Sequence, residues 1–212
     1  QGRFTDAYMV NRHSNVFPGI LGRVCDRPCE PACRRTRVEE KPVAICRLKR
    51  VAADQRDDVT PLLPKVPQLK NGKRIACVGA GCASLTVAND LLPLGYEITM
   101  FEQWGQAGGL MRTNIPSFRL PAQVLNEEIA MIVDRGVDLQ LGARIESMQK
   151  LLSDGGFDAV FVGTGAPKGK ELDLPGRKEG TANIHVGIDW LESLAFGHVD
   201  SIGKRVLIIG VG

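Results

Sequence analysis

Six residues carry the most specific chemistry in this chain. Gly79-Ala80-Gly81-Cys82-Ala83-Ser84 is a G-x-G-x-x-G pattern with serine in the last place. It follows a short apolar run, Arg74 to Val78, and precedes a helix-forming stretch. Gly79 permits a tight turn, Gly81 lets backbone approach a pyrophosphate, and the third position needs a small residue for close helix–strand packing. A helix N-terminus there offers free N–H groups and partial positive charge to phosphates. Glu102 lies 23 residues after Gly79, at the end of the next predicted strand, where an acid accepts hydrogen bonds from ribose hydroxyls. A glutamate with no arginine beside it argues against a 2′-phosphate and fits FAD or NAD. Gly108-Gly109-Leu110, Arg112 and the late turn Gly163-Thr164-Gly165 move that choice toward FAD.

The second set is the cysteines. Cys25, Cys29 and Cys33 follow C-x3-C-x3-C spacing, and Cys46 comes thirteen residues later. Pro28 and Pro31 break any helix through them, so a turn-rich loop wrapping a centre is expected. Four cysteines ligate a [4Fe–4S] cluster or structural zinc, and the spacing alone leaves both open. A flavin domain directly downstream favours iron–sulfur, because flavin converts hydride chemistry into single-electron steps. Free thiols in a helical domain are the plainer alternative. Cys77 is expected in the core and Cys82 is expected to pack; a redox pair at these two positions would not face a flavin ring. His13, His185 and His198 are isolated and read as structural or exposed.

These residues need elements to position them. Residues 1–58 read as short helices, around Phe4, Ala7, Tyr8 and Val10 and from Val43 to Ala53. Residues 59–72 form a linker in which Pro61, Pro64 and Pro67 recur at polyproline II spacing, closed by an Asn71-Gly72 turn. Residues 73–166 alternate strands and helices. Strands are expected at Arg74–Val78, Glu97–Phe101, Val137–Leu141 and Phe157–Val162. Helices are expected at Ala83–Leu94 and after Pro121, the latter with Leu125, Ile129, Ile132 and Val133 on one face. This is an α/β pattern with a largely parallel sheet. Residues 167–212 end in another buried-type strand, Val206–Ile209, running into Gly210-Val211-Gly212. That pattern calls for a following helix, so the chain is expected to be truncated.

Composition narrows the class. Hydrophobic residues are 43% and charged residues 24%, a globular mix. A net charge of +3 does not indicate nucleic acid binding. The basic cluster Arg34, Arg35 and Arg37 reads first as a solvated face, and second as a contact for an acidic partner or a phosphate. No apolar run is long enough to span a bilayer, and no secretory signal opens the sequence. Uneven cysteines in a chain of this size point to a reducing, cytoplasmic setting.

Several stretches together resemble one family. GRVCDRPCEPACRR (22–35), PVAICRLKR (42–50), GAGCASLTVANDLLPLGYEITMFE (79–102) and GGLMRTNIPSFRLP (108–121) are similar to the glutamate synthase small-subunit family and to the N-terminal half of dihydropyrimidine dehydrogenase. The resemblance implies a helical, ferredoxin-like iron–sulfur segment, then a Rossmann-like FAD domain with an NAD(P)H domain nested in it. It implies hydride transfer from NAD(P)H to FAD and electron exit through iron–sulfur clusters to a partner subunit or domain. By motif match, FAD contacts fall on Val24, Gly79, Ala80, Gly81, Ala83, Ser84, Glu102, Gly109, Leu110, Arg119, Ile145, Thr164 and Gly165. The spacing, rather than the resemblance, makes Cys25, Cys29, Cys33 and Cys46 the candidate metal ligands. Cys82 departs from the family's usual proline.

Other readings are an FAD amine oxidase, disfavoured by the cysteine-rich start, and a zinc-stabilised nucleotide-binding interaction module. No side chain reads as a catalytic acid, base or nucleophile, as suits hydride transfer to flavin. On the family reading, residues 1–212 alone do not oxidise NAD(P)H. Ferricyanide reduction by the purified chain is the measurement, and turnover above background overturns that expectation.

Overall fold

Four short strands organise the chain. A computed structural model describes residues 2–170 and 173–210. In it β1 (Arg74–Val78), β2 (Glu97–Glu102), β3 (Asp138–Leu141) and β4 (Ala159–Val162) form one sheet in the order β3-β2-β1-β4. All three pairings are parallel. β1 lies inside, and Ile75, Ala76, Cys77 and Val78 are all buried. A continuous apolar run suits a parallel strand covered on both faces. The strand order reverses at β1, which opens a crevice at the carboxyl ends of β1 and β4, the usual ligand position in such sheets.

The helices are α1 (Phe4–Arg12), α2 (Pro18–Val24), α3 (Ile45–Asp54), α4 (Cys82–Leu91), α5 (Leu110–Thr113), α6 (Ala122–Val133), α7 (Met148–Asp154) and α8 (Gly187–Ala195). α4 connects β1 to β2, α5 and α6 connect β2 to β3, and α7 connects β3 to β4. Leu85, Leu92, Ile98, Met100, Leu125 and Ile132 fill the core between sheet and helices. Each such side chain contributes about 1.5–3 kcal/mol by leaving water. No helix among the described residues is long and apolar enough to cross a membrane.

Several expectations needed adjustment. α2 has no strong periodic signal and was not expected; Pro18 starts it at the first helical position, where its missing N–H costs nothing. The helix after Gly81 ends at Leu91 and tightens into a 3-10 turn, Leu92–Leu94, because Pro93 cannot donate a backbone hydrogen bond. The proline linker holds a 3-10 turn at Thr60–Leu62 and is otherwise irregular. Val206–Ile209 is not a strand. These four residues are exposed, and no neighbouring strand pairs with them among the described residues. A lone extended segment has no ladder to join. The glycine turn beyond them falls partly on Val211 and Gly212, outside the described residues.

The cysteine-bearing segment is fixed to the α/β unit by a buried acid. Glu128, on α6, is 2% exposed. Its Oε1 accepts from the Gly19 N–H at 2.8 Å and from the Tyr8 hydroxyl at 3.1 Å, and its Oε2 accepts from the Ile20 N–H at 3.1 Å. Gly19 and Ile20 lie in the first turn of α2, so Glu128 caps that helix from a distant element. Burial raises the Glu128 carboxyl above its ordinary value, against the opposing pull of these donors and of Arg12. Arg12 is buried as well, donating to the Val16 carbonyl at 2.6 Å and to Asn89 of α4 at 3.0 Å.

Replacing Glu128 with alanine leaves two N–H groups buried without partners, at about 1–3 kcal/mol each. A lower Tm and faster amide exchange across residues 18–24 are expected; unchanged exchange there would refute the capping role. The pH dependence has a definite sign. The folded state holds the Glu128 proton more tightly than the unfolded chain, so this site favours folding below the ordinary glutamate range. That contribution is lost as pH rises through the folded value. Glu128→Gln is expected to flatten stability against pH across that window in parallel denaturation curves.

Candidate functional site

The phosphate turn lies at the crevice. Gly79 has φ +93°, and a Cβ there would lie 2.6 Å from the Gly163 carbonyl oxygen, so only glycine fits. Gly81 is different. Its φ is ordinary, and a Cβ would meet only the Gly109 Cα, at 4.0 Å. Gly81 and Gly109 thus face each other without side chains and leave an open cradle in front of α4. No side chain caps α4, whose first residues are Cys82, Ala83 and Ser84. The free N–H groups of this ten-residue helix therefore point at the cradle.

The two glycine turns are held together by backbone. The Gly108 N–H donates to the Ala80 carbonyl at 2.8 Å. Arg112 supports the second turn, donating from Nε to the Ala107 carbonyl at 2.6 Å and from Nη2 to Asn126 at 2.7 Å. Leu110 starts α5 beside Gly109 and is exposed. Thr164 lies against Gly79, and Gly165 follows in an open left-handed turn.

Glu102 is 5% exposed at the end of β2. Its Oε2 accepts from the Ala80 N–H at 2.8 Å and its Oε1 from the Trp104 N–H at 3.0 Å. A carboxylate has about four acceptor sites, so two remain for ribose hydroxyls. Ser84 is fully buried and its Oγ has no partner. A Cβ on Gly163 would collide with that oxygen, so serine fills the third fingerprint place by packing against glycine on the far side of the crevice.

Val24 and Arg119 are brought together, with Arg119 Nη2 donating to the Val24 carbonyl at 3.1 Å. Sequence reasoning marked both residues but not their contact. Ile145 follows β3 and is half-buried. Ala83 is exposed at the start of α4. Cys82 was expected to pack but is exposed, because the first helical position projects away from the sheet. Cys77 is core as expected, and burial pushes its thiol up to about 11.

The four N-terminal cysteines are free and are not gathered round one point. Among the described residues no three His, Cys, Asp or Glu side chains are placed to hold a metal ion. Cys46 is buried next to Cys25, and burial followed by that neighbour pushes its thiol up. The Cys33 thiol is lowered by backbone hydrogen bonds from Val43 and Arg35. Cys29 is exposed. As arranged, the set does not form a cluster site, while the glycine cradle fits a dinucleotide pyrophosphate.

The cradle yields a paired test. Gly81→Val is expected to fill it without disturbing the fold, lowering bound flavin more than tenfold with little change in Tm. Gly79→Ala is expected to lower Tm as well, since its Cβ meets backbone. Equal flavin loss and equal Tm loss in both variants would refute the distinction.

Comparison with known proteins bears on both parts. Residues 1–60 match the family described as dihydropyrimidine dehydrogenase domain II, 4Fe-4S cluster. The whole chain is 35% identical to the NADP(+)-dependent formate dehydrogenase subunit beta of Moorella thermoacetica, covering 33% of that protein. It is 32% identical to the glutamate synthase [NADPH] small chain of Mycobacterium tuberculosis, again over the whole chain and 46% of the relative. Over 99% of its length it is 32% identical to a Salmonella typhi homologue of the NAD-dependent dihydropyrimidine dehydrogenase subunit PreT, covering 50% of it. The chain therefore spans a third to a half of the length of these relatives. Over that span it is similar to the glutamate synthase small chains and to the related NAD(P)-dependent oxidoreductase subunits.

Proposed function

We propose that this chain is the flavin-holding part of an NAD(P)H oxidoreductase that passes electrons to a partner subunit. One observation carries the reading. Two side-chain-free glycine turns and a buried acid converge at the switch point of a parallel sheet, and Arg119 joins the same unit to Val24, next to Cys25. Residues 73–166 hold FAD. The N–H groups at the start of α4 bind its pyrophosphate, and Gly81 and Gly109 admit it. Glu102 accepts from the ribose through its two remaining lone pairs. Arg119, anchored on Val24, orients the flavin end. When bound, FAD supplies hydride acceptance and release of single electrons.

Residues 1–58 are the iron–sulfur segment, with Cys25, Cys29, Cys33 and Cys46 as the candidate ligands; residues 59–72 are a spacer. The cysteine arrangement supports no detailed step through a cluster. Residues 167–212 begin an NAD(P)H-binding domain. α8 of that region is tied to the flavin side by Asn114, which donates to the Ile188 carbonyl at 2.8 Å. Six free cysteines support a reducing, cytoplasmic location.

The experiment is an anaerobic UV–visible spectrum with flavin, iron and zinc quantified on one sample. Flavin bands are expected; iron and sulfide beside them would show that the four thiols draw together when a cluster is supplied. Flavin without iron would remove the four-cysteine ligand set and keep the FAD site. Zinc in a folded sample that also fails to take up added FAD would overturn the whole reading.

A further inference from the structure

Charge is unevenly distributed along this chain. Residues 22–50 contain nine Lys/Arg against four Asp/Glu, so this stretch carries more positive charge than the whole chain's +3. Some of these cations are occupied: Arg23 and Arg50 pair with Asp54, and Arg35 pairs with Glu39. Arg27, Arg34, Arg37, Lys41 and Arg47 are exposed and make no ion pair among the described residues. They belong to one lobe. Arg27, Thr36 and Pro42 line one cavity, which brings the Arg34–Arg37 turn beside Arg27 and the approach to α3. Gly22 of α2 in turn lies against the backbone of Arg50.

Apolar side chains stand exposed among the cations: Val38, and Leu48 and Val51 on the outer side of α3 beside Arg47. Arginine mixed with exposed aliphatic groups suits a protein-docking face, where arginine is enriched and the centre of the patch is apolar. A phosphate site requires converging cations, and these are spread along a loop and a helix. We propose that this face docks an electron-accepting protein with an acidic surface. The proposal rests on the electron-transfer reading above and adds the place and the charge of the partner. Unpaired cations attract such a partner over about a Debye length, ~8 Å at physiological salt, and raise its association rate.

The test uses the full-length, flavin- and iron-loaded protein with two probes, an acidic plant-type ferredoxin and cationic cytochrome c. Binding is measured by titration calorimetry at low and physiological salt. Ferredoxin is expected to bind more tightly than cytochrome c and to lose about tenfold or more in affinity as salt rises. The R34E/R37E/R47E variant is expected to weaken it at least about tenfold while retaining flavin and Tm, and R34Q/R37Q/R47Q to give a smaller loss. Equal affinity for the two probes, no effect of either variant, or displacement of ferredoxin by an equal concentration of mixed-sequence duplex DNA would each overturn the proposal. NADPH–menadione turnover is recorded on the same samples. Turnover without ferredoxin binding overturns the docking face and keeps the reductase reading. Binding without turnover supports an acidic-protein face and overturns the reductase reading.

Discussion

The carboxylate of Glu128 is the interaction on which the relation between the two parts of this chain depends. A short helix has too few internal hydrogen bonds to stand alone, and α2 has seven residues. Its first-turn N–H groups are satisfied by an acid more than a hundred residues away. The same acid takes the hydroxyl of Tyr8, a fully buried residue of α1. One side chain of α6 thereby sets the position of α1 and α2. The cysteine loop leaves from the end of α2, so its placement against the flavin side follows from this buried contact. Arg12 adds a second tie, from α1 to α4, through Asn89.

The crevice is built by a different constraint, the exclusion of side chains. Gly79 must be glycine because the Gly163 carbonyl leaves no room, whereas Gly81 is glycine where the fold itself would tolerate more. The first requirement is structural, and the second exists only if something else occupies the space. This contrast separates a ligand-binding turn from an ordinary tight turn. Glu102 reinforces it: one oxygen braces the turn through the Ala80 N–H and the other takes the Trp104 N–H.

Much of this was legible in the sequence because local chemistry and tertiary context agree there. The run Arg74–Val78, the glycine pattern and the acid at Glu102 each require the same strand–turn–helix–strand, and Leu125, Ile129 and Ile132 mark the buried side of α6. Glu128 was not legible. Three places after Leu125 and one before Ile129, it falls on the buried side of α6, but its partner cannot be read there: nothing nearby in sequence shows that α2 needs its oxygens. Val206–Ile209 failed for the opposite reason: its composition suits a strand, but a strand exists only through a partner. The cysteine spacing told of a loop, which is present, but could not tell whether thiols gather without a metal to draw them.

The packing of Ser84 against Gly163 makes two distant positions depend on each other historically. With serine at the third fingerprint place, any side chain at 163 meets its Oγ; with glycine at 84, that obstacle is gone. A side chain at 163 is therefore expected to be tolerated better where position 84 is smaller, although Phe161 still crowds it at 3.0 Å. This is epistasis between a helix and a strand, and it directs how such a crevice can change over generations.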